Sequence, residues 1–136
     1  METILRRLVH GIAIAALFAL GAEAAHAQVW PNANPYACHW TLGSTSGDSL
    51  VTFQYSNFNS AALSQSGNLK TVYASGSVVN KPFTLSWDWS SGSDYRFDFV
   101  QTQDNIQCSI LTASSGRDVT FYSCSNGAWQ HCVQSQ

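Results

Sequence analysis

The clearest alternation of hydrophobic and polar residues in the chain lies between residues 82 and 101. Two alternating, aromatic-rich runs, 83–89 and 95–99, flank a segment of Ser, Gly and Asp centred on Gly92. Period-two alternation bounded by turn residues is typical of half-buried strands, so this segment predicts a β-hairpin. Folding it about Gly92 gives one apolar face with the cross-strand pairs Trp89/Tyr95, Trp87/Phe97 and Leu85/Phe99, and places Asp88 opposite Arg96 on the other face.

Shorter runs of the same kind predict strands along the rest of the chain. They lie at residues 38–42, 51–55, 69–79 with a bend at Gly76, 106–110, 119–124 and 128–133. Because every connection between them is short, an up-and-down meander is the simplest topology. The sequence therefore predicts an all-β fold of about eight antiparallel strands, as a small flattened barrel or a two-sheet sandwich stapled by disulfides. For the strand at 119–124, the inward face stays open between two alternatives, Val119/Phe121 and Tyr122/Cys124.

The N-terminal segment predicts export. Arg6 and Arg7 precede a short apolar run at 12–20, and Ala25-His26-Ala27 is a small-residue cleavage motif. These are the three parts of a secretory signal peptide, and the apolar run is too short to span a bilayer. We therefore expect removal of residues 1–27, no membrane span, and a secreted or periplasmic protein.

The expected mature chain, residues 28–136, is long enough for one domain with one core. Residues 28–37 contain two prolines and predict an extended arm, which Trp30 and Tyr36 should attach to a single β domain at 38–136. The whole chain carries 6 Lys and Arg residues, 8 Asp and Glu residues and a formal net charge of −2. No basic patch follows from this composition, so nucleic acid is not an expected partner.

The 4 cysteines predict two disulfides, because an even number in a small exported chain is usually oxidised. A two-residue turn at Asn126-Gly127 would hold Cys124 too far from Cys132 for a bridge. A three-residue loop at 115–117 would set Cys108 opposite Cys124. In a closed meander the first and last strands are neighbours, so the predicted pairs are Cys108–Cys124 and Cys38–Cys132.

Two histidines adjoin these cysteines, in Cys38-His39 and His131-Cys132. Two Cys and two His could form a tetrahedral zinc site, but the chain has no C-x-x-C element and exported thiols are usually oxidised. We therefore expect no metal and no cofactor, and we expect both histidines to flank a disulfide and point away from it. The less favoured alternative is a histidine pair that responds to pH or captures metal ions.

The hairpin and a long polar loop provide the candidate ligand-binding residues. Most of the aromatic hairpin face is expected to be core, but Trp89 and Tyr95 flank its tip and carry polar groups suited to a wet edge. Asn57, Phe58 and Asn59 open the longest irregular stretch, where an exposed aromatic residue is suited to recognition. The alternatives are a hairpin face that is entirely core and a plain surface loop.

A short run in the first strand resembles a known family of β-barrels. Trp40, Leu42, Gly43 and Ser44 form a Trp-x-Leu-Gly-Ser run that, together with the eight-strand count, resembles avidin-like barrels. The resemblance covers only these residues, and the polar and aromatic pocket positions of that family have no match in this chain. No function is carried over from it.

No residue pattern supports catalysis, and no catalytic residues are assigned. Serines are frequent, but there is no G-x-S-x-G motif, and residues 28–136 contain no Glu, so a glycosidase would need a pair of Asp residues. We therefore expect a non-catalytic binding module for a glycan or another small extracellular ligand. The alternatives are a proteinaceous inhibitor of a secreted protease or lysozyme, which would use a rigid disulfide-held loop, and a small hydrolase.

Overall fold

The computed structural model describes residues 29–90 and 94–134. The predicted signal peptide at 1–27 and the predicted hairpin tip at Gly92 lie outside the described residues. The described chain forms eight β-strands, β1 (Tyr36–Leu42), β2 (Thr45–Ser56), β3 (Ser64–Tyr73), β4 (Val78–Ser90), β5 (Asp94–Gln101), β6 (Ile106–Ala113), β7 (Asp118–Tyr122) and β8 (Ala128–Val133).

The strands close into a single barrel. Each strand pairs antiparallel with the next one in the chain, and β8 pairs back with β1. This confirms the predicted all-β meander and decides between the barrel and the sandwich in favour of the barrel. Side chains alternate between the interior and the outer face along each strand, which is the pattern that an eight-stranded barrel requires.

Four phenylalanines fill the interior of the barrel. The ring centroid of Phe53 lies 5.6 Å from that of Phe83 and 6.0 Å from that of Phe121. Phe99 completes the cluster at 5.9 Å from Phe83 and 5.3 Å from Phe121. All four rings are buried. Because an eight-stranded barrel is only wide enough for a few side chains, these rings separate its two ends.

Both predicted disulfides are present. Cys38 on β1 lies directly opposite Cys132 on β8 and is bonded to it, so this bridge joins the two strands that close the barrel. Cys108 on β6 is bonded to Cys124, just beyond β7. The described residues contain no free cysteine.

The β6–β7 register differs from the predicted one by one residue. Ile110 pairs with Phe121, whereas the predicted three-residue loop would pair it with Tyr122. The reason is that the connection between the two strands is one residue longer, at 114–117. Val119 and Phe121 are buried, which answers the question that the sequence left open for this strand.

Ser123 compensates for this offset and allows the Cys108–Cys124 bridge. Its φ of 52° lies in the left-handed region, which is uncommon for a residue other than Gly. Beyond Ser123, the Ser125 N–H donates to the Gln107 carbonyl oxygen at 2.7 Å, so this part of the chain pairs with β6 in a register that differs by one residue from that of β7. The extra residue acts as a β-bulge and turns Cys124 towards Cys108.

The β7–β8 register is also different from the predicted one. Val119 pairs with Cys132, whereas a two-residue Asn126-Gly127 turn would pair Phe121 with Cys132. The Gly127 N–H donates to the Cys124 carbonyl oxygen at 2.9 Å, so the tight turn is centred on Ser125 and Asn126 and ends at Gly127, and the predicted Asn126-Gly127 turn is wrong by one residue. The longer connection at 123–127 explains why the predicted register is wrong by two residues.

The β4–β5 hairpin confirms two of the three predicted aromatic-face pairs, Leu85/Phe99 and Trp87/Phe97. The third pair is wrong. The register shifts between Trp87 and Trp89, and Trp89 pairs with Arg96 instead of Tyr95. Asp88 is therefore the extra residue of a β-bulge, not a direct cross-strand partner of Arg96.

Contacts of Arg96 with other strands account for this bulge. Its Nε lies 3.3 Å from Oδ2 of Asp88, and its Nη2 donates to Oγ of Ser109 at 3.0 Å. The guanidinium carbon also lies 5.9 Å from the ring centroid of Tyr122, a cation–π arrangement. The predicted attraction between Asp88 and Arg96 is present, but it acts across the bulge.

Two strands extend over polar segments that the sequence assigns to loops. β2 begins at Thr45 instead of residue 51, and β3 begins at Ser64 instead of residue 69. β3 ends at Tyr73, and residues 78–79, predicted to continue it, belong to β4. Gly76, with a φ of 93°, makes the turn that separates the two strands.

Trp87 and Trp89 should differ in their contribution to stability. Trp87 packs against the core, whereas Trp89 lies beyond the bulge and is 39% exposed. We expect Trp87→Ala to lower the free energy of unfolding by about 3 kcal/mol, and Trp89→Ala to lower it by about 1 kcal/mol or less. Urea melts of the two variants test this. Equal losses would mean that both side chains are packed equally well.

Candidate functional site

The two ends of the barrel have different structures. The plugged end carries the N-terminal arm at 29–35, the β2–β3 loop at 57–63 and the β6–β7 turn at 114–117. The open end carries the short connections at 43–44, 74–77, 102–105 and 123–127.

Trp30 of the arm closes the plugged end. Its indole ring stacks on Phe97 with the ring centroids 4.4 Å apart, and the residue is only 5% exposed. Its Nε1 donates to the carbonyl oxygen of Ser60 at 3.3 Å, which ties the arm to the β2–β3 loop. The predicted attachment of the arm through Trp30 is therefore confirmed, and Trp30 belongs to the core.

Side-chain amides fasten the arm to the chain near its C-terminal end. Nδ2 of Asn32 donates to Oε1 of Gln134 at 2.7 Å and to the carbonyl oxygen of Gly116 at 3.2 Å. Nε2 of Gln134 donates back to Oδ1 of Asn32 at 2.6 Å. The two amides thus form a reciprocal pair that holds the arm across the end of the barrel.

Two tyrosine hydroxyls hold the arm from inside the barrel. The Tyr36 hydroxyl accepts from the Asn32 N–H of the arm at 2.9 Å and donates to the carbonyl oxygen of Gly116, and the Tyr55 hydroxyl donates to that of Pro31. Burial raises the pKa of Tyr36 to about 12, and burial together with the nearby Tyr36 raises the pKa of Tyr55. Because burial disfavours the phenolate, both hydroxyls keep their protons and remain donors.

The open end contains a cavity of about 370 Å³, which we call the cup. This volume lies in the lower part of the range of about 300–1,000 Å³ that is typical of small-molecule sites. None of the described residues that line the cup is charged. The lining combines aromatic rings with amide and hydroxyl groups, including Trp40, Tyr73, Phe99, Phe121 and Trp129 among the first and Thr71, Gln101, Asn126 and Gln130 among the second.

Trp40 forms one wall of the cup because Gly47 leaves room for it. The two residues are partners in the β1–β2 pairing, and a Cβ atom on Gly47 would lie 2.9 Å from Cζ2 of the indole. The ring of Tyr73 meets that of Trp40 edge to face at a centroid distance of 6.0 Å. The two aromatic rings therefore support each other on one side of the cup.

Two glutamines place amide groups on other parts of the lining. Oε1 of Gln130 accepts a hydrogen bond from Oγ of Ser49 at 3.4 Å. Nε2 of Gln101 donates to Oδ2 of Asp104 at 2.8 Å. Each amide is thus oriented by one protein partner and keeps further hydrogen-bonding capacity for a ligand.

The binding residues predicted from the sequence all lie at the plugged end, and none of them lines the cup. Trp89 and Tyr95 lie at the plugged end, on either side of the connection between β4 and β5, and Tyr95 packs against the core. Phe58 is 50% exposed, packs on Tyr55 with a centroid distance of 4.9 Å, and lines a second depression of about 570 Å³ beside the arm.

The other two predicted residues, Asn57 and Asn59, shape the β2–β3 loop. Asn57 has a positive φ of 53°. Oδ1 of Asn59 accepts from the Ala61 N–H at 3.0 Å, and its carbonyl oxygen accepts from Nε2 of the buried Gln65. A ligand-binding role for these two residues stays a prediction.

Sequence patterns did not identify the cup, because its lining comes from separate strands. Trp40, Tyr73 and Gln101 lie at or near the last residues of β1, β3 and β5, and Gln130 lies near the start of β8. Only the predicted topology and the inward-facing positions, taken together, could have identified these residues from the sequence. In a closed meander, inward-facing residues at the ends of β1, β3 and β5 meet at one end of the barrel.

The two histidines lie on the outer face of the barrel, as predicted. Cys38 and Cys132 are buried in the disulfide, which excludes the Cys₂His₂ zinc site. His39 and His131 point away from that bridge, and the side chains are 57% and 41% exposed. The described residues contain no group of three or more His, Cys, Asp or Glu side chains arranged for a metal ion.

Comparisons with known proteins bear on the fold alone. No protein-family model matches the chain, and no curated protein matches it. Among solved structures, a redesigned β-barrel is similar to it, with a TM-score of 0.50 and 10% identity, over 79% of this chain and 93% of that one. Within residues 29–90 and 94–134, no helix is long and apolar enough to cross a membrane.

Proposed function

We propose that this chain is an exported, non-catalytic binding protein that holds a sugar unit or another small uncharged ligand in the cup. The observation that carries the proposal is the contrast between the two ends of the barrel. At one end Trp30 fills the interior and the depression of about 570 Å³ lies beside the arm, whereas the other end leaves a cavity of about 370 Å³ lined by the ends of the strands. An eight-stranded barrel with one accessible end is a common architecture for holding one small ligand.

The chemistry of the lining supports an uncharged ligand. A charged ligand would lose its hydration in the cup without finding an opposite charge, which is costly. The rings of Trp40 and Tyr73 offer apolar faces, and Gln101 and Gln130 offer amide groups. Ring faces combined with a few placed polar groups suit a sugar, which has both apolar C–H surfaces and hydroxyl groups, or a neutral aromatic compound.

Export is part of the same proposal. The segment 1–27 has the basic start, apolar run and small-residue motif of a signal peptide. Two disulfides fit an oxidising compartment, because thiols in the cytosol are usually kept reduced. The protein would then meet its ligand in the periplasm or outside the cell.

A screen with cup-directed variants tests the proposal. Neutral mono- and disaccharides and neutral aromatic fragments would be screened by saturation-transfer NMR, and hits would be measured by calorimetry. Ala128 lines the cup, so Ala128→Phe should fill it and weaken binding at least tenfold. Trp89→Ala, at the plugged end, should leave the affinity within about twofold.

The reverse result would contradict the cup as the site. Binding that survives Ala128→Phe but fails in Trp89→Ala or Phe58→Ala would move the ligand to the plugged end. If no probe binds, and the protein instead inhibits a secreted protease or lysozyme on mixing, the inhibitor hypothesis replaces this one.

A further inference from the structure

The pairing of β1 with β8 places two histidines directly opposite each other. His39 pairs with His131, one position from the bonded pair Cys38/Cys132. The cysteines face inward and the histidines therefore face outward, where both line a shallow groove on the outer surface. Opposite residues of an antiparallel pair have Cβ atoms about 4.5–5.5 Å apart. The two histidine side chains therefore leave the backbone close enough together for both to reach a single ion.

Each imidazole is oriented by an aspartate on its other side. Nδ1 of His39 lies 2.9 Å from Oδ1 of Asp48 on β2, and Nε2 of His131 lies 2.9 Å from Oδ1 of Asp118 on β7. A neutral imidazole that donates a hydrogen bond from one nitrogen keeps a lone pair on the other. Nε2 of His39 and Nδ1 of His131 are therefore the nitrogens left to bind a ligand.

This arrangement is the one that metal-binding histidines use. Their second nitrogen usually donates to a carboxylate or carbonyl, which fixes the ring and increases its basicity as a ligand. The matched His–Asp pairs on both strands are exposed, and exposed ion pairs contribute little to stability. Structural stabilisation alone is therefore a weak explanation for two such pairs side by side.

The local charge and chemistry select the class of ion. The carboxylates of Asp48 and Asp118 lie beside the two imidazoles, and they favour a cation over an anion at this place. Imidazole nitrogen prefers Zn²⁺, Cu²⁺ and Ni²⁺ to Mg²⁺ and Ca²⁺. We propose that His39 and His131 form a two-histidine site for a divalent transition-metal ion on the outer face of the barrel, with water completing the coordination.

Titration of purified residues 28–136, the chain expected after removal of the signal peptide, with Zn²⁺ and without reductant tests this site. We expect one ion per chain by calorimetry, with the ¹⁵N resonances of His39 Nε2 and His131 Nδ1 shifting on binding. His39→Ala and His131→Ala should each weaken binding at least tenfold. Asp118→Asn, which keeps the shape but removes the charge, should weaken it about tenfold or more.

Asp98→Asn, at an exposed position of β5 away from both histidines, should leave the affinity unchanged. Circular dichroism would confirm that each variant keeps the fold. Three results would overturn the site: no binding at millimolar Zn²⁺, binding unchanged after both His39 and His131 are replaced, or shifts at the aspartate-bonded nitrogens in place of the free ones.

Discussion

Replacing Cys38 and Cys132 together by Ala should lower the free energy of unfolding by about 4–5 kcal/mol. The bridge joins residues 94 positions apart, and in the chain-entropy model the stabilisation grows with the length of the closed loop. It also fixes β1 against β8, the pairing that closes the barrel. A loss of this size is a large part of the total stability of a small domain, about 5–15 kcal/mol.

The second bridge provides the matched control. Cys108 and Cys124 are 16 positions apart, so replacing both by Ala should cost about 3 kcal/mol. Chemical denaturation of the two double variants gives the comparison directly. If the Cys108/Cys124 variant were the less stable one, barrel closure through Cys38–Cys132 would not be the dominant constraint.

Gly67→Ala should be among the most damaging single substitutions in the chain. Gly67 is a buried residue of β3, and a Cβ atom there would lie 2.2 Å from the carbonyl oxygen of Gln54 and 2.8 Å from Cα of Tyr55. Both atoms belong to the backbone of β2, so the strand itself has to move. Forced backbone shifts in a packed interior cost about 1–3 kcal/mol, and this close approach places the expected loss at about 3 kcal/mol or more.

Gly47→Ala is the matched control for this substitution. The atoms that a Cβ on Gly47 would meet belong to the ring of Trp40, which can rotate into the cup. We expect a loss of about 1 kcal/mol or less. Urea melts compare the two variants, and equal stability of both would show that β2 and β3 are not packed as closely at Gly67 as the structure indicates.

Much of the fold follows from the sequence, because local patterns and topology agree. The alternation of apolar and polar residues predicts the cross-strand pairs Leu85/Phe99 and Trp87/Phe97, because in a half-buried strand the polarity of each residue indicates which face of the sheet it occupies. The disulfide pairing follows from closure, which makes β1 and β8 neighbours and sets Cys38 opposite Cys132.

The errors arise where distant residues decide the local structure. The bulge at Asp88 depends on Arg96, which is held by Ser109 and Tyr122 on other strands. The polar starts of β2 and β3 look like loops by composition, but closure of the barrel requires them to pair. No short segment of the sequence contains all of the residues that decide these features.

The candidate site was harder to predict than the fold for the same reason. The sequence of the arm predicts that Trp30 attaches it to the domain, but the stacking of Trp30 on Phe97 depends on a residue of β5 that the arm does not contain. The cup collects residues from the ends of several strands, so it exists only once the register of every strand is known. The exposed aromatic residues Phe58 and Trp89 are simpler to predict, because each lies in a loop or hairpin that a short segment of the sequence indicates.

The indole ¹H–¹⁵N spectrum tests the central claim, that the cup is the ligand site, most directly. The chain has 5 tryptophans, and they report on separate places: Trp40 on the cup, Trp129 on the rim of the cup beside His131, Trp30 on the interior of the plugged end, Trp87 on the core and Trp89 on the surface of the plugged end. Titration with the tightest hit from the saccharide and fragment screen should shift the indole signal of Trp40 and leave that of Trp89 in place. Shifts confined to Trp89 or Trp30, or no shift with any probe, would contradict it.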